Sequence, residues 1–427
     1  MPVSVSDSIW RCAVCGAETP VTAPFGWRCP GSSDTDRQHA PLLVQPIAPL
    51  RSTGDTNPFI AFRRYLAWDS FAAAGGMSDD QRDALIRELD PGFHTTPFQR
   101  ADALSDALGF TADGGVWVKD ETHHVAGSHK ARHLFGILLH LVAAERTGRA
   151  PWGSVADRPP LAIASCGNAA LAASTLAAKV SWPIRVFVPV DANPVVVTML
   201  EGLGAGVVRC PRLPADPPGD PCVHRFREAV AAGALPFSVQ GTENAWCLDG
   251  GRTIGWEMAR HMEEAIEGPP FDRLFVQVGD GAFAACVAAG FRMSGITPRL
   301  HAVQTNACAP LERAWELLPS VGGVRSAAQH WADCMWPWEH VGNTAADGIL
   351  DDETFDWLPV VQAMHEGHGR PVVAHEQHVL QANELAVEHT SINPSHTGTA
   401  GFAGLLAARE SIGADERVAV IFSGIRR

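Results

Sequence analysis

Lysine is scarce in this sequence of 427 residues. Only three of its 33 basic residues are lysines, namely Lys119, Lys130 and Lys179. Arginine supplies surface charge and binds carboxylates, but it stays protonated and cannot form an imine, whereas a lysine with a lowered pKa can. A base composition that favours arginine codons accounts for the low total. If the protein uses a Schiff base, it has only these three candidates.

Basic charge and long apolar runs are also lacking. The formal net charge of −14 argues against non-specific nucleic-acid binding, which depends on a basic surface. No uninterrupted apolar stretch reaches the roughly 20 residues that a membrane span needs, and the N-terminus shows no signal-peptide pattern. The ten scattered cysteines are typical of reduced thiols rather than of a disulfide framework. We therefore expect a cytoplasmic protein without nucleic-acid or membrane partners.

The first 45 residues differ from the rest of the chain. Cys12 and Cys15 have the C-x2-C spacing of a metal knuckle, and Cys29 and His39 follow. Three cysteines and a histidine can complete a tetrahedral zinc site. The pattern predicts a zinc-ribbon-like segment over residues 1–45. A ribbon that has lost its metal, or free cysteines, are the alternatives.

Strands alternate with helices over the remainder. A short β-rich run, "GVWVKDE", precedes the helical segment "SHKARHLFGILLHLVAAERTG", which has Lys130 in its first turn. Two later segments each show a strand, a glycine turn and a helix: "PLAIASCGNAALAASTLAAKV" and "RLFVQVGDGAFAACVAAGF". Such alternation predicts an α/β fold with parallel sheets.

The two glycine turns are candidate ligand sites. Gly279 and Gly281 end a strand and begin a helix, where backbone N–H groups can hold a phosphate dianion, although glycines in such turns also serve packing. Ser165, Gly167 and Asn168 present hydroxyl, backbone and amide groups that suit a carboxylate. An ordinary helix cap and tight turn is the alternative for this second stretch.

A hydroxyl completes the set of candidate ligand groups. Ser423 ends the strand "VAVIF", and the carboxyl ends of parallel strands face the crevice in which α/β proteins bind ligands. Pyridoxal phosphate needs an imine partner, a phosphate site and a hydrogen bond to its ring nitrogen, and an amino-acid substrate needs a carboxylate site. The lysine, the two glycine turns and the hydroxyl together meet these needs.

Segments in the same order characterise a known family. The chain resembles the fold-type II pyridoxal-phosphate enzymes, the group of threonine synthase, serine/threonine dehydratase and cysteine synthase. "VKDETHHVAGSHKAR" is similar to the family's K-x-E…G-S-F-K-x-R segment, and "SCGNAALA", "VGDGAF" and "FSGIRR" are similar to its substrate loop, phosphate loop and terminal strand. "LDGGRTIGWEM", "NTAADGI" and "SHTGTAGFAGLLA" resemble further family segments. The cysteine-bearing N-terminus resembles that of some threonine synthases.

The resemblance implies roles for individual residues. Lys130 takes the Schiff-base position, Asn168 lies near the 3′-oxygen of the cofactor, and Ser423 bonds to the pyridine nitrogen. The implied phosphate loop comprises Gly279, Asp280, Gly281, Ala282 and Phe283. The implied substrate-carboxylate loop comprises Ser165, Cys166, Gly167, Asn168 and Ala169.

The resemblance also implies the domain organisation. It predicts two parallel-sheet α/β units with the cofactor in the cleft between them. Residues 46–135 and 240–427 would form a large cofactor-binding domain, and residues 136–239 a small mobile domain that carries the substrate loop. Family members are usually dimers, so we expect a homodimer.

The expected reaction is α,β-elimination from a small amino acid through an aminoacrylate. A neutral Ser423 at the ring nitrogen does not hold that nitrogen protonated, which favours expulsion of a β-leaving group over transamination. γ-Elimination and replacement as in threonine synthase, a β-replacement synthase and a non-catalytic cofactor-binding regulator are the alternatives. The threonine-synthase route needs a second anion site near the substrate, to which Arg132 and Lys119 could contribute.

Histidines mark a departure from the family pattern. His129 precedes the lysine, where the family usually has Phe, Val or Ile. It could protonate a leaving group near neutral pH, or stack in place of the usual Phe. His123, His124 and His133 are expected to be polar packing or rim residues.

Overall fold

The computed structural model describes residues 8–33, 35–45, 50–265 and 271–427. These residues divide into two compact units. The first unit comprises the described residues up to His94 together with Lys130–Gly251, and the second comprises those of Thr95–His129 and Arg252–Arg427. The predicted domain boundary at 45–46 adjoins residues 46–49, which lie outside the described part of the chain.

The regular elements follow the alternation that the sequence predicts. The strands are β1 Ile9–Cys12, β2 Glu18–Pro20, β3 Pro41–Val44, β4 Phe98–Arg100, β5 Gly115–Asp120, β6 Leu161–Ala164, β7 Ile184–Val188, β8 Gly206–Arg209, β9 Leu235–Pro236, β10 Arg273–Gln277, β11 Arg299–Thr305, β12 Val372–Ala374 and β13 Arg417–Phe422. The helices are α1 Pro58–Ala61, α2 Ala67–Ala74, α3 Asp79–Leu89, α4 Asp102–Ala107, α5 Lys130–Arg146, α6 Asn168–Lys179, α7 Pro194–Gly202, α8 Pro221–Ala231, α9 Cys247–Ala265, α10 Ala282–Met293, α11 Pro310–Leu317, α12 Trp331–Cys334, α13 Trp357–Glu366, α14 Glu376–His389 and α15 His396–Ala408.

The first unit contains two sheets. In the N-terminal sheet β1 pairs antiparallel with both β2 and β3, so that Trp10 lies opposite Thr19 and Leu43. The second sheet has the order β8-β7-β6-β9 and is parallel throughout. Helix α5 packs against α2 and α6. Strand β6 of this sheet is connected to the start of α6 by the short turn at residues 165–167.

The second unit is built on one six-stranded sheet. Its order is β12-β11-β10-β13-β5-β4, and only the β4–β5 pairing is antiparallel. Every residue of β10 is buried, because a parallel sheet covered by helices has no solvent face. Phe275, Val303 and Val420 belong to the apolar core that includes helix α15. The predicted α/β fold with parallel sheets is confirmed.

Local sequence signals explain where individual elements begin. Ser78 caps α3 in a capping box with Gln81. Among the described residues, no helix is long and apolar enough to cross a membrane.

Candidate functional site

Lys130 is the first residue of α5 and is partly buried. The chain reaches it through a tight turn in which Ala126 and Gly127 have positive φ angles of 54° and 68°. A Cβ on Gly127 would lie 2.7 Å from Ile425 Cγ2, so this position needs glycine both for conformation and for space. The residues before Lys130 are therefore pressed against the C-terminal end of the chain.

Backbone hydrogen bonds hold this approach. Gly127 O accepts from Ile425 N at 2.9 Å, and Ser423 O accepts from His129 N at 3.0 Å. The residue before Lys130 is thus bonded to the residue that sequence analysis assigns to the ring nitrogen. Ser128, which lies between these two bonds, is fully buried, and its Oγ has no hydrogen-bond partner among the described residues.

Ser423 follows β13 and is 4% exposed. Its Oγ accepts a hydrogen bond of 2.6 Å from Gln277 Nε2. Because the oxygen accepts from the amide, the hydroxyl proton is available to an acceptor such as a pyridine nitrogen. Gln277 was missed by sequence analysis, and the one signal for it is an amide in the otherwise apolar end of β10.

The His129 side chain stacks on Phe283. Their ring centroids are 3.9 Å apart with an interplanar angle of 31°, and His129 is 5% exposed. Phe283 lies in the first turn of α10, directly after the glycine turn. The imidazole thus packs the segment before Lys130 against the helix turn that follows the Gly279–Gly281 loop.

Close packing requires the glycines of that loop. A Cβ on Gly279 would lie 2.2 Å from Asp351 Oδ2, and one on Gly281, which has a φ of +94°, would lie 2.9 Å from Thr354 Cγ2. Asp280 is 6% exposed, and its Oδ1 accepts from Ala282 N at 2.9 Å. One of the backbone N–H groups at the start of α10 is therefore already hydrogen-bonded to the Asp280 carboxylate.

The substrate-loop candidate is more open. Ser165 N donates to Phe187 O at 3.1 Å, which extends the β6 pairing into the turn. A Cβ on Gly167 would meet no atom within 4 Å, and Cys166 is exposed. Asn168 begins α6, and Ala169 behind it is buried. The predicted strand, turn and helix are confirmed, with an accessible helix start.

The other two lysines have different surroundings. Lys119 is fully buried, and its Nζ donates to Glu257 Oε2 at 2.5 Å and to Thr96 O at 2.8 Å. Lys179 is exposed at the end of α6. The burial of Lys119 in an ion pair argues against its use in a second anion site near the substrate.

Buried histidines serve packing. His133 is 1% exposed, and its Nδ1 lies 3.1 Å from Cys247 O. Burial, with the Lys130 charge nearby, lowers the pKa of His133 to about 3, so the ring is neutral and donates to the carbonyl. His123 is exposed and His124 is buried.

The four candidate metal ligands lie together in the first unit. The ligand atoms of Cys12, Cys15, Cys29 and His39 are all within 4.8 Å of one another. Cys12 Sγ lies 3.4 Å from His39 Nδ1, and Cys15 Sγ lies 3.4 Å from Cys29 Sγ. The Ala17 N–H lowers the pKa of Cys15 to about 7, which favours the thiolate that metals bind. This donor set fits a tetrahedral zinc ion.

The donor set of the second unit also fits pyridoxal phosphate. Ser423 can donate a proton to a ring nitrogen, and the buried hydroxyl of Ser128, for which the described part of the chain offers no partner, can donate to an oxygen acceptor. Ser128 lies two residues before Lys130 in the chain, and Ser423 is hydrogen-bonded to the segment that leads to that lysine.

Comparisons with known proteins agree with this geometry. The family model described as "Pyridoxal-phosphate dependent enzyme" matches residues 89–424. No curated protein sequence matches the chain.

Solved structures share the fold at low sequence identity. The processed form of threonine deaminase isoform 2 from Solanum lycopersicum is 17% identical with a TM-score of 0.59, over 91% of this chain and 96% of that one. Maize serine racemase is 16% identical with a TM-score of 0.59, over 81% and 92%. Diaminopropionate ammonia lyase from Escherichia coli is 15% identical with a TM-score of 0.59, over 80% and 88%.

Proposed function

Because the chain belongs to the family of pyridoxal-phosphate dependent enzymes, we propose that it is a lyase that removes a leaving group from Cβ of a small amino acid. The observation that carries the proposal is the pair of uncharged groups, Ser423 and Gln277, bonded at 2.6 Å where β13 ends. A neutral donor leaves the ring nitrogen of the cofactor unprotonated, which favours elimination over transamination. When bound, the cofactor supplies an electron-withdrawing group that makes the Cα proton of an amino acid acidic.

Separate residues of this chain would bind the cofactor, bind the substrate and transfer the proton. Lys130 Nζ would hold the cofactor and, once the substrate amine has displaced it, would be free to take the Cα proton of the substrate. The open turn from Ser165 to Ala169 would bind the substrate carboxylate through N–H groups at the start of α6. By the family resemblance, Asn168 would help to hold the cofactor at its 3′-oxygen. The loop from Gly279 to Phe283 holds the phosphate, with Asp280 shaping the loop through its bond to Ala282 N.

We assign His129 to positioning. Its ring stacks on Phe283 and its backbone N–H bonds to Ser423 O, so it fixes the approach to Lys130 from two sides. The contact with Phe283 uses one ring face, as an aromatic residue at this position would, and this supports a packing role. General-acid catalysis by His129 is the competing assignment.

The neighbours' names favour elimination over γ-replacement. Threonine deaminase, a fungal L-serine ammonia-lyase and diaminopropionate ammonia lyase act, by their names, on amino acids with a leaving group at Cβ. Replacement of a γ-phosphate would need further cations near the substrate, and Lys119 is already paired with Glu257. We therefore rank threonine-synthase-type chemistry below elimination, and β-replacement and non-catalytic cofactor binding stay as alternatives.

Several broader assignments are part of the same proposal. Residues 46–135 with 240–427 would form the cofactor-binding domain, and residues 136–239 the substrate domain. The four ligands of the N-terminal cluster would hold a structural zinc ion. Among the described residues the cysteines form no disulfide, which suits a cytoplasmic protein, and we expect a homodimer.

The direct test is a panel of amino acids supplied to the purified holoenzyme. The panel includes L- and D-serine, L-threonine, 2,3-diaminopropionate and a γ-phosphorylated amino acid. We expect equal amounts of ammonia and a 2-keto acid from one substrate with a hydroxyl as its β-leaving group, and none from a Lys130→Ala variant. Release of phosphate from the γ-phosphorylated substrate, or racemisation without ammonia, would contradict the proposed elimination.

A further inference from the structure

The N-terminal ribbon, residues 8–45, contacts the segment 243–246 of the same unit. Glu243 is buried, with 1% of its side chain exposed. Its carboxylate accepts from Arg28 Nη2 at 3.1 Å, Arg37 Nη1 at 3.1 Å and Arg227 Nε at 2.7 Å. Arg28 and Arg37 belong to the ribbon. A buried carboxylate is costly without partners, so Glu243 depends on the ribbon for two of its three guanidinium groups.

Tryptophans make a second connection at the same place. Trp27 O accepts from Ala245 N at 2.9 Å, and the ring of Trp27 meets that of Trp246 edge-on at 5.3 Å and 89°. Trp246, which is 1% exposed, also stacks on His140 of α5 at 4.2 Å and 10°. One buried indole therefore contacts both the ribbon and the helix that begins at Lys130.

The next residues pack directly on the first turns of α5. Cys247 O bonds to His133 Nδ1 at 3.1 Å. A Cβ on Gly250 would lie only 2.1 Å from Arg132 O, so the backbones of α5 and α9 touch within one turn of Lys130. A shift of segment 243–250 would therefore either press on the start of α5 or open the packing there.

Two of the metal ligands lie close in sequence to the arginines that bond to Glu243. Cys29 follows Arg28 directly, and His39 lies two residues after Arg37. The described residues between β2 and β3 contain no helix or strand, so side-chain contacts and the four metal ligands are what hold this loop. A tetrahedral metal ion crosslinks such loops and contributes folding free energy to them.

From these contacts we propose that zinc bound by Cys12, Cys15, Cys29 and His39 sets the position of the first turns of α5, and with them Lys130, through Glu243 and Trp246. Glu243 and Trp246 are positioning residues, since neither lies at the ligand loops. The inference rests on the proposed function only for the role of Lys130. The mechanical connection does not depend on the reaction.

Hydrogen exchange read by mass spectrometry tests the connection on the full-length holoenzyme. Zinc content is measured before and after treatment with a chelator, and exchange is followed in peptides that cover residues 130–146 and 240–250. We expect zinc removal to speed exchange in both regions by about tenfold, which corresponds to about 1.4 kcal/mol of local stability. We also expect zinc removal to lower the visible absorbance of the cofactor bound to Lys130. Adding zinc alone should restore both the slow exchange and this absorbance.

Two variants sharpen the experiment. Glu243→Gln keeps the side-chain shape but removes the charge that holds the arginines. With zinc bound it should show part of the faster exchange, and zinc removal should then add less than in the wild type. Arg11→Gln breaks an exposed ion pair with Glu18 elsewhere on the ribbon and should behave like the wild type.

Three results would overturn the inference. They are a purified protein that binds no zinc, zinc removal that leaves exchange in residues 130–146 unchanged, and a Glu243→Gln effect that simply adds to that of zinc removal. The wild-type measurement stands even if the variant folds poorly. If exchange responds to zinc but no amino acid is turned over, the connection holds and the proposed function fails.

Discussion

At the residue scale, the Gln277 amide orients the Ser423 hydroxyl at the end of β13. The amide fixes the hydroxyl oxygen as an acceptor, so the hydroxyl proton points away from Gln277. Neither group carries charge, and this neutrality is what favours elimination in the proposed function. The neighbouring Lys119–Glu257 pair is charged but wholly buried, which suits structure rather than substrate binding.

Replacing His129 separates its two proposed roles. His129→Phe keeps a ring against Phe283 and should retain most of the wild-type kcat/KM with the same pH profile. His129→Ala removes about 1 kcal/mol of ring–ring contact and should lower kcat/KM by several-fold or more. The measurement is kcat/KM across the pH range for both variants.

The opposite pattern would assign His129 to acid catalysis. In that case His129→Phe would lose about 10²-fold or more in rate, together with one limb of the pH profile.

Side-chain partners distant in sequence are the part that sequence reasoning could not supply. The family resemblance of the segment around Lys130 predicts that this lysine is the Schiff-base residue, but nothing in it indicated that Gln277 would hold Ser423. The ion-pair partner of Lys119, and two of the three arginines that bond to Glu243, likewise come from segments more than 100 residues away. Local patterns carry no information about such pairings, because any arginine or glutamate of suitable reach could make them.

At the scale of elements, α5 is the helix on which the account depends. It begins at Lys130 and is buried along most of its length. Two of its inner positions are histidines: His133 bonds to Cys247 O and His140 bonds to Gly136 O. Burial lowers the pKa of each to about 3, so both rings are neutral in the folded protein.

This burial predicts acid sensitivity. The pKa of an unfolded histidine is about 6.5, so the unfolded chain binds more protons below that pH. The stabilisation from each ring is complete above pH 6.5 and is lost as the pH falls toward 3. When the pH falls from 7.5 to 5.5, both proteins should lose free energy of unfolding. The loss in His140→Phe should be smaller than that in the wild type by about 1.4 kcal/mol.

Urea denaturation at the two pH values measures the difference. The exposed His123→Gln is the matched control and should follow the wild type. Equal acid losses in His140→Phe and the wild type would show that His140 is not the group responsible.

The contact between α5 and α9 gives a steric prediction. Gly250→Ala places a methyl group 2.1 Å from Arg132 O, closer than any real contact, and should cost about 1–3 kcal/mol of stability. Gly202→Ala at the end of α7 meets no atom within 4 Å and should cost nothing. Thermal unfolding compares the two, and an equal melting temperature for both would contradict the close packing.

Element order was largely predictable for a physical reason. Hydrophobic periodicity and glycine turns are local, so β6, α6, β10 and α10 could be read from short windows. The α3 cap is equally local. The strand order β12-β11-β10-β13-β5-β4 is not, since it depends on which distant strands pair.

At the scale of the whole molecule, the chain forms two units that each interleave distant segments. The family match spans residues 89–424 and so draws on both units. The residues before it include the ribbon, which adds a metal-ligand cluster and the contacts to Glu243 and Trp246. The central claim remains that Lys130 holds the cofactor.

Chemical reduction of the holoenzyme tests that claim most directly. Purified wild-type protein is loaded with pyridoxal phosphate, treated with borohydride to fix the link between cofactor and lysine, and digested for mass spectrometry. Its visible absorbance is recorded beside that of Lys130→Ala and of the control Lys179→Ala. We predict that the cofactor mass lies on the Lys130 peptide, and that only Lys130→Ala loses the visible band. Cofactor on Lys119 or Lys179, or a wild-type protein that takes up none, would contradict the account.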